Sequence, residues 1–350
     1  MRIAIDAREL RGRPTGVGRY LGQLLDVWKT MPEAAEHEFV QLAPKSGGGT
    51  LWEQLTLPRL VRKAVADVLF CPGYSGPVRP PVPMVVAIHD VSFASHPEWF
   101  HWKEGLRRRT LTRMAAQRAA RVLTISEFSK GEIVQHLGVT PDKVEVVYPG
   151  VTALAPVARK SLRPPDPVVL FVGSVFNRRH VPELIDGFAR VARRMPRVRL
   201  EIVGDNRTMP RIDLGVLARK SGVLERIGIQ SYVSEDDLWQ LHRHARVFAF
   251  LSDYEGFGMT PIEALASGIP IVVLDTPIAR EIYGNAAMYV DRPEPELIED
   301  ALDRALTDER ERAHRLAIAP GVLARYSWQA CARGVLKVLE QAARKGPPSN

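Results

Sequence analysis

Short apolar runs alternate with longer amphipathic stretches from one end of the chain to the other. A short apolar run bounded by polar residues and turn formers is typical of a buried strand, whereas apolar residues three or four positions apart predict a helix. The pattern predicts strands at Ile3–Ala7, Glu38–Leu42, Val68–Cys71, Met84–Ile88, Val122–Ile125, Val144–Tyr148, Val168–Val172, Arg199–Val203, Ile227–Tyr232, Val247–Leu251, Pro270–Leu274 and Ala287–Val290. Because strands and helices alternate, the expected fold class is α/β, with parallel sheets covered by helices on both faces.

The chain is too long for one hydrophobic core and contains a segment suited to be a linker. Its 350 residues favour two domains. The segment Ala155–Pro167, rich in proline and charge, lies between the two sets of strands. We therefore expect two doubly wound, Rossmann-like domains, residues 1–160 and 161–330, that face each other across a cleft. Residues 331–350 are expected to form a C-terminal helix that could cross back to the first domain, followed by a disordered tail.

Composition indicates an ordinary soluble protein, with 45% apolar and 25% charged residues. No apolar run approaches the roughly 18 residues that a membrane span requires, and the charged N-terminus predicts neither a signal peptide nor a transit peptide. Cys71 and Cys331 are the only cysteines, which favours a reducing cytoplasm over a disulfide framework. The chain has no HExxH motif and no Asp-x-Asp after a strand, so no metal site is expected.

The positive charge is unevenly distributed. Residues 1–165 contain 23 Lys and Arg against 15 Asp and Glu, whereas residues 166–350 contain 25 of each, so the whole net charge of +8 lies in the first half. Part of it lies in the stretch of helical composition Lys103–Arg121. Basic patches attract nucleic acids and anionic lipid headgroups. A solvated helix face without a partner is the alternative.

The segment "YEGFGMTPIEAL", Tyr254–Leu265, predicts a glycine-rich turn that leads from a buried strand into a helix. Thr260 is the expected N-cap, Pro261 the first helical residue, and Glu263 the residue that reaches back to the cap amide in a capping box. A glycine-rich turn at a helix N-terminus is suited to bind an anion such as phosphate.

Two carboxylates flank this turn, Glu255 and Glu263, and each would repel phosphate. The conflict disappears if the carboxylates bind sugar hydroxyls while the backbone amides bind phosphate, which predicts a site for a nucleotide sugar. The alternatives are that Glu263 only caps the helix and that Glu255 is an exposed loop carboxylate.

Other polar and glycine residues also follow predicted strands, where ligands of parallel sheets bind. Arg178 and Arg179 follow one strand and could grip a pyrophosphate through charge-assisted hydrogen bonds. His89 follows another and could contact a sugar hydroxyl. A surface arginine pair and a buried histidine bonded to a backbone carbonyl are the alternatives. Glycines in the same kind of position are Gly16, Gly18, Gly173 and Gly204.

These motifs together resemble the retaining glycosyltransferases of family 4, which have the GT-B fold, over nearly the whole chain. The matching segments are "TGVGRY", "HDVSFASHPEWF", "ISEFSK", "FVGSVFNRRH", "YEGFGMTPIEALASGIPIV" and "YGNAAMYVD". The fifth contains the E-x(7)-E signature of the family and is the most specific. The similarity is closest to bacterial polysaccharide mannosyltransferases.

The resemblance implies a role for each matching residue. Glu255 would contact the transferred sugar, Glu263 would bind the ribose hydroxyls, and Arg178 would hold the donor phosphates. Arg179 stands where the family often has lysine followed by asparagine, and here His180 follows. His89 would contact the sugar. Residues implied to line the donor are Gly16, Gly18, Gly173, Tyr232, Val233, Gly258, Met259 and Thr260, with Tyr232 and Val233 flanking the nucleobase.

The resemblance also implies the reaction. A hexosyl unit, with mannose favoured, would pass from a GDP- or UDP-sugar to a hydroxyl of a glycan or lipid-linked acceptor, with retention through front-face attack. The first domain would bind the acceptor and the second the nucleotide sugar. The donor is a co-substrate, and no further cofactor, metal ion or nucleic acid is expected. The protein would be cytoplasmic, with an anionic inner membrane surface as a partner. The alternatives are a nucleotide-sugar epimerase of the same fold and a two-domain sugar-binding protein.

Overall fold

The structure is a computed structural model that describes residues 1–12, 16–45, 47–153 and 166–344. The strands are β1 Arg2–Asp6, β2 Glu38–Leu42, β3 Val68–Cys71, β4 Met84–Ala87, β5 Arg121–Thr124, β6 Val144–Val146, β7 Val168–Val172, β8 Arg199–Val203, β9 Ile227–Gln230, β10 Ala245–Phe250, β11 Ile271–Leu274 and β12 Ala287–Val290. The helices are α1 Val17–Trp28, α2 Leu57–Lys63, α3 Ser92–Ser95, α4 Trp102–Arg118, α5 Glu127–Leu137, α6 Val181–Arg194, α7 Leu214–Lys220, α8 Glu235–His244, α9 Met259–Ala266, α10 Pro277–Tyr283, α11 Pro295–Thr307, α12 Glu309–Leu323 and α13 Trp328–Arg344. Each predicted strand is present, with its ends displaced by at most one or two residues.

The chain forms two compact units. Unit 1 consists of residues 1–150 and the C-terminal segment from Tyr326, and unit 2 consists of Val151–Arg325. Most of the predicted linker, and the predicted boundary at residues 160–161, lie outside the described residues, as does the predicted disordered tail. Helix α13 packs on α1 in unit 1, where the indole of Trp28 donates a hydrogen bond to the carbonyl oxygen of Ala332 at 3.0 Å.

Unit 1 contains a six-stranded sheet with the order β2-β1-β3-β4-β5-β6, and all pairs are parallel. Successive residues of a strand point to opposite faces, so both faces of this buried sheet carry apolar side chains. Ile3 and Ile5 of β1 pack into the core beneath α1 and α13. Ala4 between them packs into the second core, with Val61 of α2 and Ile133 of α5.

Unit 2 contains a second six-stranded parallel sheet, with the order β12-β11-β10-β7-β8-β9. Its core includes the fully buried rings of Phe171, Phe188 and Phe248. Helices α6 and α11 approach closely because α6 has a glycine at the contact: a Cβ on Gly187 would lie 2.6 Å from a methyl carbon of Ile298.

In each sheet the strand order reverses at one place, between β1 and β3 in unit 1 and between β7 and β10 in unit 2. The loops leave the sheet in opposite directions at such a point and open a crevice at the carboxyl ends of the strands. Functional residues are therefore expected after β7 and β10. In the part of the chain that the structure describes, no helix combines the length and apolar character needed to span a membrane.

Candidate functional site

The turns after β7 and β10 meet through an ion pair between Arg179 and Glu255. Nε and Nη2 of Arg179 both lie 2.8 Å from Oε1 of Glu255. The third nitrogen, Nη1, donates a hydrogen bond to the carbonyl oxygen of Ser174 at 2.8 Å. The guanidinium also lies over the ring of Phe250, 4.8 Å from its centroid. Two side chains that were predicted to act on the same ligand therefore contact each other directly.

Glu255 is oriented from two sides but keeps one oxygen available. The hydroxyl of Ser252, just beyond the end of β10, donates to Oε1 at 2.9 Å. The hydrogen bonds that Glu255 receives from the described residues all fall on Oε1. The side chain of Glu255 is 17% exposed and that of Arg179 is 13% exposed. Oε2 can therefore accept a hydrogen bond from a ligand hydroxyl while Oε1 stays fixed.

Arg178 joins the same two turns one residue earlier. Its Nε donates to the carbonyl oxygen of Tyr254 at 3.2 Å, and its guanidinium lies 4.5 Å from the ring centroid of Phe176. Its own carbonyl oxygen accepts a hydrogen bond from the backbone amide of Asp253 at 2.9 Å. The structure thus brings Arg178, Arg179 and Glu255 to the same pair of turns, with Arg179 on the Glu255 carboxylate and Arg178 on the neighbouring backbone carbonyl of Tyr254.

Gly173, the first residue after β7, makes room for this arrangement. Its φ is +146°, and a Cβ at this position would lie 2.8 Å from Nη1 of Arg179. A side chain here would displace the guanidinium. Gly173 therefore contributes to the site by allowing Arg179 to approach the sheet, and its predicted contact with a donor stays a prediction.

The helix after the glycine turn begins earlier than predicted. Gly258, with φ 86° and ψ 60°, precedes α9 directly, and Met259 is its first residue. The assignment of Thr260 as N-cap is wrong, because the left-handed conformation of Gly258 lets the helix start without a side-chain cap. Pro261 falls on the third helical position, where its missing N–H costs no internal hydrogen bond. Gly258 is held by Tyr283, whose hydroxyl donates to its carbonyl oxygen at 2.9 Å.

Glu263 lies too far along α9 for a capping box, which requires the third helical position. Its side chain is 6% exposed, and its carbonyl oxygen accepts a hydrogen bond from the hydroxyl of Ser267 at 2.8 Å. The predicted capping box of Thr260 and Glu263 is therefore wrong, and the contact of Glu263 with a ribose stays a prediction. Met259 and Thr260 lie half-buried in the first turn of α9, where backbone amides lack helical partners.

Tyr232 and Val233 follow β9 at the same edge of the sheet. Tyr232 is 64% exposed, which is unusual for an aromatic side chain. Ser234 next to them caps α8 through a hydrogen bond from the amide of Asp237 at 3.1 Å, so Asp236 and Asp237 lie in the first turn of a helix.

His89 in unit 1 is buried, with 8% exposure. Its Nε2 lies 2.8 Å from the carbonyl oxygen of Pro72 and must donate, because a carbonyl only accepts. The rings of Tyr20 and Tyr74 contact it edge to face, at centroid distances of 5.0 and 5.5 Å. Burial lowers the pKa of His89, against the effect of its hydrogen bond to Pro72, so the ring is neutral near pH 7. This geometry matches the alternative of a histidine bonded to a backbone carbonyl.

Gly16 and Gly18 lie at the start of α1 in unit 1. Gly16 has a positive φ of 42° and precedes the helix, and Gly18 is buried in the first turn. The residues between the end of the described N-terminal segment and Gly16 are outside the described chain. A donor contact of either glycine stays a prediction.

Three residues of the unit 2 site were not predicted: Ser252, Phe176 and Phe250. Ser252 orients Glu255, and the two rings flank the guanidinium groups. The sequence signal for Ser252 was its position directly after the predicted strand Val247–Leu251. Among the described residues, no group of three or more His, Cys, Asp and Glu could hold a metal ion.

Two family profiles match adjoining parts of the chain. The profile described as Glycosyltransferase Family 4 matches residues 29–153, and the profile described as Glycosyl transferases group 1 matches residues 157–319. One profile thus matches most of unit 1 and the other most of unit 2.

Curated relatives match at low identity. The mannosylfructose-phosphate synthase of Agrobacterium fabrum is 31% identical over 183 residues, which are 49% of this chain and 40% of that protein. The O-antigen chain mannosyltransferase B of Escherichia coli is 24% identical over 71% of this chain and 67% of its own length. The GDP-mannose:cellobiosyl-diphosphopolyprenol alpha-mannosyltransferase of Xanthomonas oryzae is 26% identical over 71% of this chain and 64% of its own length. The matches thus span between about two fifths and two thirds of these relatives.

Solved structures match over almost the whole chain. The sucrose-phosphate synthase of Thermosynechococcus elongatus has a TM-score of 0.75 at 16% identity, covering 98% of this chain and 99% of that one. HepE from Anabaena, crystallised with UDP and glucose, has a TM-score of 0.71 at 17% identity, covering 97% and 99%. At these identities the likeness shows a common fold.

Proposed function

Because the chain belongs to glycosyltransferase family 4 and has the GT-B fold, we propose that it is a retaining hexosyltransferase. It transfers a hexosyl unit from a nucleotide diphosphate sugar to a hydroxyl of a glycan or lipid-linked acceptor. The observation that carries the proposal is the Arg178, Arg179 and Glu255 arrangement at the point where the strand order of unit 2 reverses.

The charge balance of this arrangement suits a diphosphate leaving group. The two turns carry Arg178, Arg179 and the protonated His180 against Asp253 and Glu255, so together they keep a net positive charge. Charge accumulates on the diphosphate as its bond to the sugar breaks. Fixed cations and the amides of the first turn of α9 therefore stabilise the transition state more than the ground state.

Glu255 acts on the sugar in this proposal. Oε1 is held by Arg179 and Ser252, and Oε2 accepts a hydrogen bond from a sugar hydroxyl. Glu263 binds the ribose, directly after the first turn of α9 and four residues after Met259. Attack on the same face that the diphosphate leaves, through an oxocarbenium-like state, gives retention. Retention and front-face attack come from the family resemblance.

Mannose from GDP-mannose is the favoured donor group, with a UDP-hexose as the alternative. The mannosyltransferase names of two relatives support mannose, and the UDP in HepE supports a nucleotide donor in this fold. None of the three relatives is named as an epimerase, so the epimerase alternative is not favoured. Family membership likewise favours a transferase over a sugar-binding protein.

The reaction proceeds without a metal ion in this proposal, because Arg178, Arg179 and the helix-end amides neutralise the diphosphate. Activity should survive removal of divalent cations with EDTA. A loss of activity that magnesium or manganese restores would contradict this part of the proposal.

The acceptor is bound by unit 1, which we also propose to contact the anionic inner membrane surface through α4. Arg107, Arg108 and Arg113 are exposed on this helix, and Trp102 and Leu106 are 66% and 51% exposed. Charged and aromatic side chains on one helix are typical of binding at a lipid headgroup layer. A lipid-linked acceptor would then lie next to the protein.

The test combines binding and product analysis. GDP-mannose, UDP-glucose and UDP-galactose are first compared by thermal shift, since a ligand at about 100 times its dissociation constant adds roughly 2.7 kcal/mol to the free energy of unfolding. The stabilising donor is then incubated with and without polyprenyl-diphosphate glycan acceptors. We expect an α-linked product by NMR of the anomeric proton only when acceptor is present. Interconversion of the donor without acceptor would indicate an epimerase, and an inverted linkage would exclude retention.

A further inference from the structure

His180 occupies an unusual backbone position beside the charged site. It separates the helical turn Asn177–Arg179 from α6, with φ 47° and ψ 38°. This left-handed conformation is uncommon for residues other than glycine, although asparagine, aspartate and histidine adopt it more often than most. Histidine therefore suits this backbone and, unlike asparagine or aspartate, brings a ring that titrates near neutral pH.

The ring of His180 lies between two carboxylates from different elements. Nε2 is 2.6 Å from Oδ2 of Asp253, which belongs to the turn after β10. Nδ1 is 3.6 Å from Oε1 of Glu183 on α6, an ion-pair distance that is too long for a hydrogen bond. Arg178 and Arg179, its neighbours in the chain, carry the nearest cations in sequence and bind Tyr254 and Glu255.

This geometry favours the doubly protonated ring. A neutral imidazole has one N–H, so it could donate to Asp253 but would leave Glu183 facing a lone pair. Burial opposes the charged form, but the contacts with Asp253 and Glu183 outweigh it and raise the pKa of His180 to about 9. The same contacts lower the pKa of Glu183, again against the effect of burial. The ring is therefore a cation at physiological pH.

The contact between His180 and Asp253 connects the turn after β7 to the turn after β10. Asp253 is two residues before Glu255, and its backbone amide donates to the carbonyl oxygen of Arg178 at 2.9 Å. The side-chain contact between His180 and Asp253 thus runs beside a backbone contact and beside the Arg179–Glu255 pair. Loosening it would change the distance between the cations and the carboxylate.

We propose that His180, as an imidazolium, is a positioning residue that fastens the turn after β7 to the turn after β10 and thereby sets the geometry in which Arg178 and Arg179 bind the donor diphosphate. This inference rests on the proposed function, since it specifies how the diphosphate site is held. His180 does not touch the reacting atoms. Its charge holds the turns, and deprotonation leaves two carboxylates that one neutral ring cannot satisfy.

Nucleotide binding and stability should depend on pH in two different ways. In the folded protein the ring stays charged until about pH 9. Nucleotide diphosphate binding should therefore hold constant from pH 6.5 to 8.5 and weaken about threefold to tenfold between pH 8.5 and 9.5. Stability behaves differently, because the pKa is raised on folding. The contacts of the charged ring stabilise the fold fully below about pH 6.5, the pKa of histidine in the unfolded chain. This stabilisation is lost as the pH rises to about 9.

The test uses His180→Asn, because asparagine also tolerates the left-handed backbone but carries no charge. Binding of UDP and GDP is measured by calorimetry across this pH range, with folding checked by circular dichroism. We expect the variant to bind the preferred nucleotide about tenfold more weakly at pH 7 and to lack the weakening above pH 8.5. The matched control is His136→Asn, since His136 lies 3.9 Å from Glu132 on α5 in unit 1 and should change neither property.

A second variant separates the contact from general damage. Asp253→Asn should lower the pKa of the His180 ring in an NMR titration, and the double variant should bind no more weakly than His180→Asn alone, because both remove the same contact. Wild-type affinity for His180→Asn at pH 7, or additive effects in the double variant, would overturn the proposal. If the wild-type protein binds neither nucleotide, the proposed function fails. The ring titration and the difference in thermal midpoint between pH 6.5 and 9 then still show whether His180 fastens the turns.

Discussion

The two sheets carry opposite charge balances at the ends of their central strands. In unit 1 the guanidinium of Arg8 lies between two carboxylates, Asp6 at 2.6 Å and Glu53. In unit 2 the turns after β7 and β10 carry three cations, Arg178, Arg179 and the protonated His180, against the carboxylates of Asp253 and Glu255. One cluster has an excess of carboxylates and the other an excess of cations, although both follow strands at a reversal of strand order.

The clusters also differ in exposure. The side chains of Asp6 and Glu53 are both 2% exposed, against 17% for Glu255. Burial raises the pKa of Asp6 to about 6, although Arg8 opposes the shift. Glu53 is further bound by the hydroxyl of Ser75 at 2.7 Å. The unit 1 cluster is closed and satisfied by its own members, whereas Glu255 keeps an oxygen that can receive a ligand.

The comparison shows that strand topology determines where a crevice lies but not which ligand it can bind. A diphosphate would be repelled by the carboxylates of Asp6 and Glu53 and attracted by the cations after β7. The charge balance therefore favours unit 2 for the donor. The excess positive charge of the first half of the chain does not lie in this cluster, and α4 carries part of it.

The largest expected effect comes from breaking the unit 1 cluster. Arg8→Ala should lower the free energy of unfolding by about 3–5 kcal/mol, because it leaves two buried carboxylates without a counterion. Urea unfolding followed by tryptophan fluorescence reports mainly on unit 1, which contains five of the six tryptophans.

Two controls show whether burial causes this loss. Arg197→Ala removes an exposed pair with Asp166, in which Arg197 is 73% exposed, and should cost about 0.5 kcal/mol or less. Arg8→Met combined with Asp6→Asn and Glu53→Gln removes all three charges and should recover most of the stability. A loss below about 1 kcal/mol for Arg8→Ala would show that the cluster is hydrated and not closed.

The second largest effect is expected for Glu255 of unit 2, whose Oε2 can bind a ligand. Glu255→Gln should lower kcat about 10²- to 10³-fold, or roughly 3–4 kcal/mol, while the dissociation constant of the nucleotide diphosphate changes little. The amide keeps an oxygen for Arg179 and Ser252 but loses the charge that faces the sugar.

Glu263→Gln should do the reverse, with nucleotide binding weakened about tenfold, or roughly 1.4 kcal/mol, and a smaller change in kcat. Glu235→Gln, in the exposed first turn of α8, is the control and should change neither quantity. If both glutamine variants weaken nucleotide binding equally, the two carboxylates do not have separate roles.

The sequence predicted the sheets better than the site. Buried parallel strands are short apolar runs, so each strand could be located from its composition, and alternation with helices predicted two doubly wound sheets. The positions after β7 and β10 were likewise predicted to carry Arg178, Arg179 and Glu255. These features depend on local sequence and on a general rule about sheet edges.

What the sequence did not predict depends on contacts between distant residues. The Arg179–Glu255 pair joins residues 76 positions apart, and the His180–Asp253 contact joins residues 73 positions apart. The predicted start of α9 was wrong. The sequence "MTPIE" matches a capping pattern, but the left-handed backbone of Gly258 lets the helix begin earlier, at Met259. Local patterns cannot rank such alternatives when tertiary contacts, here Tyr283 on Gly258, decide between them.

The smallest effects are expected on α4, whose exposed arginines carry part of the positive charge of the first half of the chain. Arg107→Gln and Arg113→Gln should each weaken binding to anionic vesicles by about 1 kcal/mol, or roughly fivefold. Arg108→Gln should have a smaller effect, because Arg108 already pairs with Glu104 at 2.6 Å. Substituting Arg109 as well as these three should abolish the binding.

Co-sedimentation with vesicles of anionic and neutral lipid measures these differences. Binding should require anionic lipid and disappear at high salt, since the attraction acts over a Debye length of about 8 Å at physiological ionic strength. Trp102→Ala should weaken binding by a similar factor at each salt concentration at which binding persists, because its 66% exposed ring contributes apolar contact that salt does not screen. Equal binding to both vesicle types, or none to either, would exclude the membrane role. Because α4 lies in unit 1, its basic face would then be a solvated helix surface or part of the acceptor site, and acceptor affinity of the same variants would distinguish these two.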